Sequence, residues 1–344
     1  MKCLVIGDTH FDNQYKGYLD SQIEACYKLI DEHKPKVVVF LGDIYHHRKP
    51  SPEVIVKVHK LFKRIAVIPG LSSIFVIRGN HDSANKSDDG LTALETLVHP
   101  TSKVRLIQQT LLDERFNFLF IPHYENEDVV RESLQYAKDK DTVVFGHFGY
   151  AGCINAGQYF DFEVEVDEFK NRTILGHIHK FSEDGNVTIL GTPWSTNFGE
   201  CDYDHYVGVM EHSSSGWGPL NKFKVAYGPR HYIAPLEAID AMADEIQQDD
   251  YFTILRVLVD KFADDSTSIL RSELLEKFNV GYVDLKFQPV YDRVLKNRLS
   301  NYDPNMPINN IDDNVIDRYI EEQASNIPLE SLKKGLDLIK AHED

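Results

Sequence analysis

Five short apolar runs in this chain end at a glycine that hands over at once to Asp, Asn or His. They are Gly7-Asp8-Thr9-His10, Gly42-Asp43, Gly79-Asn80-His81-Asp82, Gly146-His147 and Gly176-His177-Ile178-His179. One such junction carries no message, because a lone Asp or His beside glycine is most often a cap, a turn or a satisfied core group. Five of them within the first 179 residues, drawn only from Asp, Asn and His, point to a single site gathered at strand ends. The runs at 3–7, 37–42, 74–78, 118–121, 142–146, 173–176 and 187–191 have the length and β-branched content of buried strands. Amphipathic segments lie between them at 20–33, 52–65 and 127–138. The second carries Val54, Ile55, Val58, Leu61, Phe62 and Ile65 on one face. This alternation predicts a layered α/β domain with helices outside a sheet sandwich.

The residue types then suggest a chemistry. Mixed carboxylate, amide and imidazole ligands suit Mn²⁺, Fe²⁺, Zn²⁺ or similar ions, and the absence of Cys from the set disfavours a purely structural zinc. Glycine lets the backbone bend so that side chains meet at a point. In Asp8-Thr9-His10 and His177-Ile178-His179 the intervening residue returns the second side chain to the same side of an extended segment. One carboxylate bridging two cations sets them about 3.5–4 Å apart, a spacing suited to phosphate oxygens and in-line displacement by a hydroxide formed near neutral pH. His123, in Ile-Pro-His-Tyr, and His46-His47 after Asp43 read as structural or rim residues.

Composition sets outer limits. The chain has 344 residues, enough for one large domain and a smaller one. A formal net charge of −17 argues against avid unaided nucleic-acid binding but is compatible with binding divalent cations. Cys3, Cys26, Cys153 and Cys201 form no CxxC pair and read as free thiols in a reducing compartment. No run is long enough to span a bilayer, and the start lacks a signal-peptide pattern, so a cytoplasmic location is expected.

The pattern changes after the strand-like residues 206–210. Residues 213–218 read as a turn. From 231 to 288 a βαβαβ-like order appears: strand 231–236, helix near 239–246, strand 252–259, helix near 268–278, strand 283–287. A polar stretch at 301–310 reads as a linker. Two helical patterns follow. One carries Ile311, Val315, Ile316, Tyr319 and Ile320, the other Leu329, Leu332, Leu336 and Ile339. Such a narrow stripe docks either on a partner helix or on the chain's own body.

The five junctions resemble, motif for motif, the calcineurin-like metallophosphoesterase superfamily. The segment Gly191-Thr-Pro-Trp-Ser-Thr-Asn-Phe-Gly-Glu200 resembles that of its DNA double-strand-break repair nucleases, including the SbcD-type subunit and the phage recombination nuclease that pairs with an SMC-like ATPase. The resemblance implies a four-layer α/β/β/α sandwich with a small α/β capping domain and C-terminal helices. It places a nuclease domain at 1–228, a DNA-capping domain at 229–300, a linker at 301–310 and ATPase-binding helices at 311–344. One cation would be held by Asp8, His10, Asp43 and His179, and the other by Asp43, Asn80, His147 and His177, with Asp43 bridging. His81 would touch the scissile phosphate and protonate the leaving oxygen, with Asp82 orienting it. The implied activity is a DNA exonuclease, with endonuclease action also open, using two divalent ions. Mn²⁺ is favoured, with Mg²⁺ or another transition metal as alternatives. Such an enzyme would serve DNA repair, recombination or replication, in the host cytoplasm if phage-encoded. Helix 52–65 and segment 91–98 match that family's homodimer contact. A small-molecule phosphatase or cyclic-nucleotide phosphodiesterase of the same superfamily is the alternative. One departure stands out: family members often continue the second motif with Phe-Asp, where this chain has Asp43-Ile-Tyr-His-His47.

Overall fold

A computed structural model describes residues 1–86, 91–98, 103–155, 158–159, 162–248, 250–259 and 267–287. The strand and helix alternation resolves into β1 (Lys2–Ile6), α1 (Tyr18–His33), β2 (Val37–Phe40), α2 (Pro52–Ala66), β3 (Ser73–Ile77), β4 (Val104–Ile107), β5 (Leu111–Asp113), β6 (Phe118–Ile121), α3 (Glu127–Leu134) and β7 (Val143–His147). A short hairpin follows, β8 (Ile154–Asn155) and β9 (Gln158–Tyr159). Then come β10 (Thr173–Gly176), β11 (Ser182–Asp184), β12 (Val187–Ile189), β13 (Tyr206–Ser213), β14 (Gly216–Trp217) and β15 (Asn221–Lys224). The order closes with β16 (Gly228–Pro235), α4 (Ala243–Ile246), β17 (Tyr251–Val259), α5 (Thr267–Phe278) and β18 (Tyr282–Phe287).

The strands form a mixed α/β fold with several sheets. One sheet runs β14-β13-β1-β2-β3-β4, with β15 paired to β13, and a second runs β11-β12-β10-β7-β6-β5. Strands β1 to β4 are mutually parallel, as are β6, β7, β10 and β12. Parallel strands covered on both faces read as unbroken apolar runs, and every residue of β2 and β6 is buried. Successive side chains point to opposite faces. Leu4, Ile6, Val38, Phe40, Ile74 and Val76 therefore pack with Leu29 of α1 and Val58 and Phe62 of α2. Their neighbours Cys3, Val5, Val37, Val39, Phe75 and Ile77 meet Phe118, Phe120, Phe145 and Ile174 of the second sheet. The opposite face of that sheet, with Leu119, Val144 and Leu175, packs on Val130 of α3. Phe75 stacks on Phe120 with ring centroids 4.6 Å apart, joining the two sheets at their centre.

Helix α2 starts at Pro52 behind Ser51, whose hydroxyl accepts from Val54 N–H. Its apolar face, Val54, Val58, Leu61, Phe62 and Ile65, is buried inside the chain. That face cannot serve a second copy. Among the described residues of this region the exposed apolar side chains are Val56, Val67, Leu91 and Val98. Helix α3 stops short of the expected residue 138. Gln135, Tyr136 and Ala137 bond to the carbonyls three residues back, a tighter winding that ends the α-helix. Strand β15 escapes the sequence pattern because all four of its residues are exposed, leaving no alternation to read.

Beyond β15 the three strands β16, β17 and β18 form a parallel sheet. Ala234, Leu255, Val257 and Val283 build its core with Leu274 and Phe278 of α5. The helix expected near 239–246 is a single α-turn, α4, preceded by a 3₁₀ turn at Leu236–Ala238. Met1–Phe287 forms one compact unit. The expected linker at 301–310 and helices at 311–344 lie outside the described residues.

Candidate metal centre

The junction residues sit at or just beyond the C-terminal ends of β1, β2, β3, β7 and β10, the edge where parallel strands present their loops. Asp8, His10, Asp43 and His147 are at most 1% exposed and form the floor, while Asn80, His81, His177 and His179 are half-buried and face the opening. His10 Nε2 lies 3.0 Å from His179 Nε2 and 3.7 Å from Asp43 Oδ2. On the other side His147 Nε2 lies 3.4 Å from Asp43 Oδ1 and 3.0 Å from Asn80 Oδ1, and His177 Nδ1 is 2.9 Å from the same amide oxygen. Asp43 thus turns one oxygen toward each half of the cluster. Asp8 links them. Its Oδ2 accepts from His177 N–H at 2.7 Å, and its Oδ1 lies 3.7 Å from His147 Nδ1.

The backbone is arranged for this convergence. His10, Asp43 and His177 adopt positive φ values of 44°, 45° and 84°, a region that costs a non-glycine residue of order 1–3 kcal/mol and persists where surrounding structure enforces it. The glycines serve close approach. A Cβ at Gly79 would strike the Asp43 carboxylate, and one at Gly176 would strike that of Asp8.

Buried partners orient the imidazoles. His147 Nδ1 donates to Leu41 O at 2.9 Å, which makes Nε2 the ring atom that faces Asn80 and Asp43. His179 Nδ1 donates to Glu200 Oε1 at 2.6 Å, so its Nε2 lone pair faces His10. Glu200 is 2% exposed and also accepts from Thr196 N–H, Thr196 Oγ1 and Asn197 Nδ2. Burial would raise its carboxyl, but His179 opposite holds it below the usual range. Sequence reasoning noted the 191–200 segment without finding this role. The signal was present, since a carboxylate closing a run of Thr, Ser and Asn has donors to satisfy it. Removing such a partner of a metal-ligating histidine typically costs about 10–100-fold in metal affinity or activity. Glu200→Ala should therefore weaken cation binding by that factor in a metal titration, with its core packing intact.

Asp82 does other work than the expected orientation of His81. Its carboxylate accepts from Gly79 N–H at 2.9 Å, Tyr45 N–H at 3.1 Å and Ile44 N–H at 3.3 Å, tying the second junction to the third. Burial and then the Asp43 charge push it up to about 6, against those donors. The His81 ring bonds through Nδ1 to the His46 carbonyl, and the His81 backbone N–H donates to Asp43 Oδ1 at 2.8 Å. His46 is therefore part of the site through its backbone. His123 stacks 5.7 Å from the His177 ring and lines a cavity of about 230 Å³ with Phe148 and Phe162.

The donor set suits divalent cations. Asp8 with His10 and His179, and Asp8 with Asp43 and His147, bring ligand atoms within 4.8 Å of one another. Asp8 Oδ1 is fully buried with no hydrogen-bond partner, as expected of an oxygen reserved for a cation. A cation's charge would fall among Asp8, Asp43 and these imidazole nitrogens, two of which lie 3.0 Å apart.

Without cations, protons supply that charge. Burial disfavours a charged His147, but Asp43 and Asp8 raise it to about 9. Burial, partly offset by His147, raises Asp8 to about 7. Both values lie above those of the unfolded chain, about 6.5 and 3.9. Their stabilising protonation is complete below the unfolded values and is lost as pH rises through the folded ones. Burial lowers His177 to about 3, and its contribution no longer changes above pH 6.5. Melting temperature of the cation-free protein should therefore fall between pH 6.5 and 9. The rise in melting temperature on adding divalent metal should grow over the same range. A pH-independent rise would contradict the account.

The chain belongs to the calcineurin-like phosphoesterase family, whose profile matches residues 1–181 and so spans all seven expected ligands and His81. Among solved structures it is similar to the Pseudomonas putida nuclease MPE, at 19% identity and a TM-score of 0.29, with 52% of this chain and 62% of that one covered. No curated protein matches. Among the described residues no helix is long and apolar enough to cross a membrane.

Proposed function

We propose that this chain is a DNA phosphodiesterase, an exonuclease with endonuclease action also open, that works with two divalent cations, Mn²⁺ foremost. The observation that carries the reading is the shared carboxylate of Asp43, with one oxygen toward His10 and the other toward His147. In this reading Asp8, His10, Asp43 and His179 hold one cation, and Asp43, Asn80, His147 and His177 the other. Bound there, the cations would supply Lewis acidity toward phosphoryl oxygens and lower the pKa of an attacking water. The protein's own share is positional. Asp43 is held by the His81 N–H, His147 by Leu41 O and His179 by Glu200. The Nδ1–H bond of His81 to the His46 carbonyl leaves Nε2 to act on the leaving oxygen as general acid.

Support for a polymeric substrate comes from the three-stranded sheet beside the centre. His231 N–H donates to Ser195 Oγ at 3.0 Å, and the Arg256 guanidinium lies 3.8 Å over the Phe198 ring. The segment carrying Glu200 is thereby anchored to that sheet, an addition that small-ester hydrolysis does not require. We assign the sheet to a capping domain at 229–300 on a four-layer α/β/β/α nuclease domain at 1–228. Residues 311–344 are assigned to an SMC-like ATPase partner, and the active form to a homodimer for repair or recombination. The need for a basic partner or a locally positive groove follows from the net charge of −17, which disfavours unaided DNA binding.

End-labelled duplex and single-stranded DNA, incubated with Mn²⁺ and in parallel with mononucleotide esters, tests the reading. Cleavage of DNA is the expected result. Turnover of mononucleotide esters with DNA intact would transfer the site to a small-molecule phosphatase or cyclic-nucleotide phosphodiesterase.

A further inference from the structure

Next to the central cluster, and sharing no ligand with it, Asp12, His46 and His47 bring one carboxylate oxygen and two imidazole nitrogens within 4.8 Å of one another. We propose that these three residues form a third divalent transition-metal site, of the Zn²⁺ class. The donor set is one carboxylate and two imidazoles, which suits Zn²⁺, Fe²⁺ and Co²⁺. Zinc bonds of about 2.0–2.2 Å place tetrahedral ligand atoms about 3.4 Å apart. Asp12 Oδ1 and His47 Nε2 are already 3.7 Å apart. The remaining closure needs a swing of the His47 side chain, which is 63% exposed, and a shift of the His46 ring toward Asp12.

The second observation is the state of Asp12. Its side chain is 8% exposed, yet among the described residues no hydrogen-bond donor reaches its carboxylate. Its backbone N–H is held by Gln22 Oε1 at 3.0 Å, so the residue is fixed in place while its carboxylate faces the His46 and His47 imidazoles. A largely buried carboxylate facing two imidazoles is an arrangement that a divalent cation completes. His46 supplies the remaining donor. Its ring lies 4.7 Å from that of His47 and 5.3 Å from that of His10. The His46 carbonyl holds the His81 ring. Occupancy would therefore stiffen the segment that positions His81, without contributing a ligand to the central pair.

Metal counting on the full chain tests this directly. Protein saturated with Zn²⁺, passed through a desalting column and analysed by mass spectrometry for bound metal, should carry one equivalent more in the wild type than in His47→Ala. Three against two is the expected result if the central pair is filled. One against zero would sustain the third site while removing the central pair, so failures of the two readings are distinguishable. Equal metal content in the two proteins overturns the proposal. Because His47 is exposed, its replacement leaves the core untouched. Co²⁺ absorption provides a second readout, with loss of one ligand-field component expected in the variant and an unchanged spectrum counting against the site.

Discussion

Asp43→Ala yields a folded chain that holds neither central cation and does not measurably cleave phosphodiesters. The carboxylate is the one group whose two oxygens face both halves of the cluster, at 3.7 Å from His10 Nε2 and 3.4 Å from His147 Nε2. Its removal takes a ligand from each cation at once. Burial would raise this carboxyl, but His147, His10 and His81 together hold it well below the usual range, so it is charged whenever the protein is folded. Metal charge stabilisation is worth several kcal/mol of barrier, so losing it costs at least about 10³-fold in rate. Folding survives because Asp43 lies at the open edge of the sheets rather than between them. A single cooperative melt in the absence of metal, lowered by loss of the Asp43–His147 pair, with no cation bound at saturating Mn²⁺, is the expected pair of readings. Wild-type turnover in this variant would remove Asp43 from the centre.

His81→Ala separates proton transfer from cation binding. Alanine keeps the backbone N–H that donates to Asp43 Oδ1 at 2.8 Å, so the bridging carboxylate stays in place. What disappears is the imidazole anchored on the His46 carbonyl. General acid catalysis contributes about 10²–10⁴-fold, and kcat should fall by that factor while metal content and KM stay near wild type. An ester whose leaving group needs no proton, such as a nitrophenolate, should be hydrolysed with a much smaller loss. Equal losses on both kinds of substrate would show that His81 acts by holding the site rather than by moving a proton.

Much of the fold was legible because β2, β3, β6, β7 and β10 are covered on both faces, which writes each as an apolar run, closed by glycine in all but β6. The metal centre was legible for a related reason. Gly79 and Gly176 are required by the carboxylates they face, so glycine and ligand recur together along the chain. What stayed hidden is held by backbone partners or by residues distant in sequence. Leu41 O, which selects the His147 tautomer, is 106 residues from it. Nothing local announces that Asp82 serves three N–H groups instead of the His81 ring. The stripe on α2 was visible, but periodicity alone cannot tell a face buried against the chain's own sheet from one offered to a second copy. Strand β15 and the one-turn α4 lack the alternation or length on which such reading depends.

Anomalous diffraction from a crystal soaked in Mn²⁺ tests the central claim most directly. Two peaks about 3.5–4 Å apart, one on each side of Asp43, are the predicted result. A single ion bound away from Asp43, or no peak among Asp8, His10, Asn80, His147, His177 and His179, would contradict it.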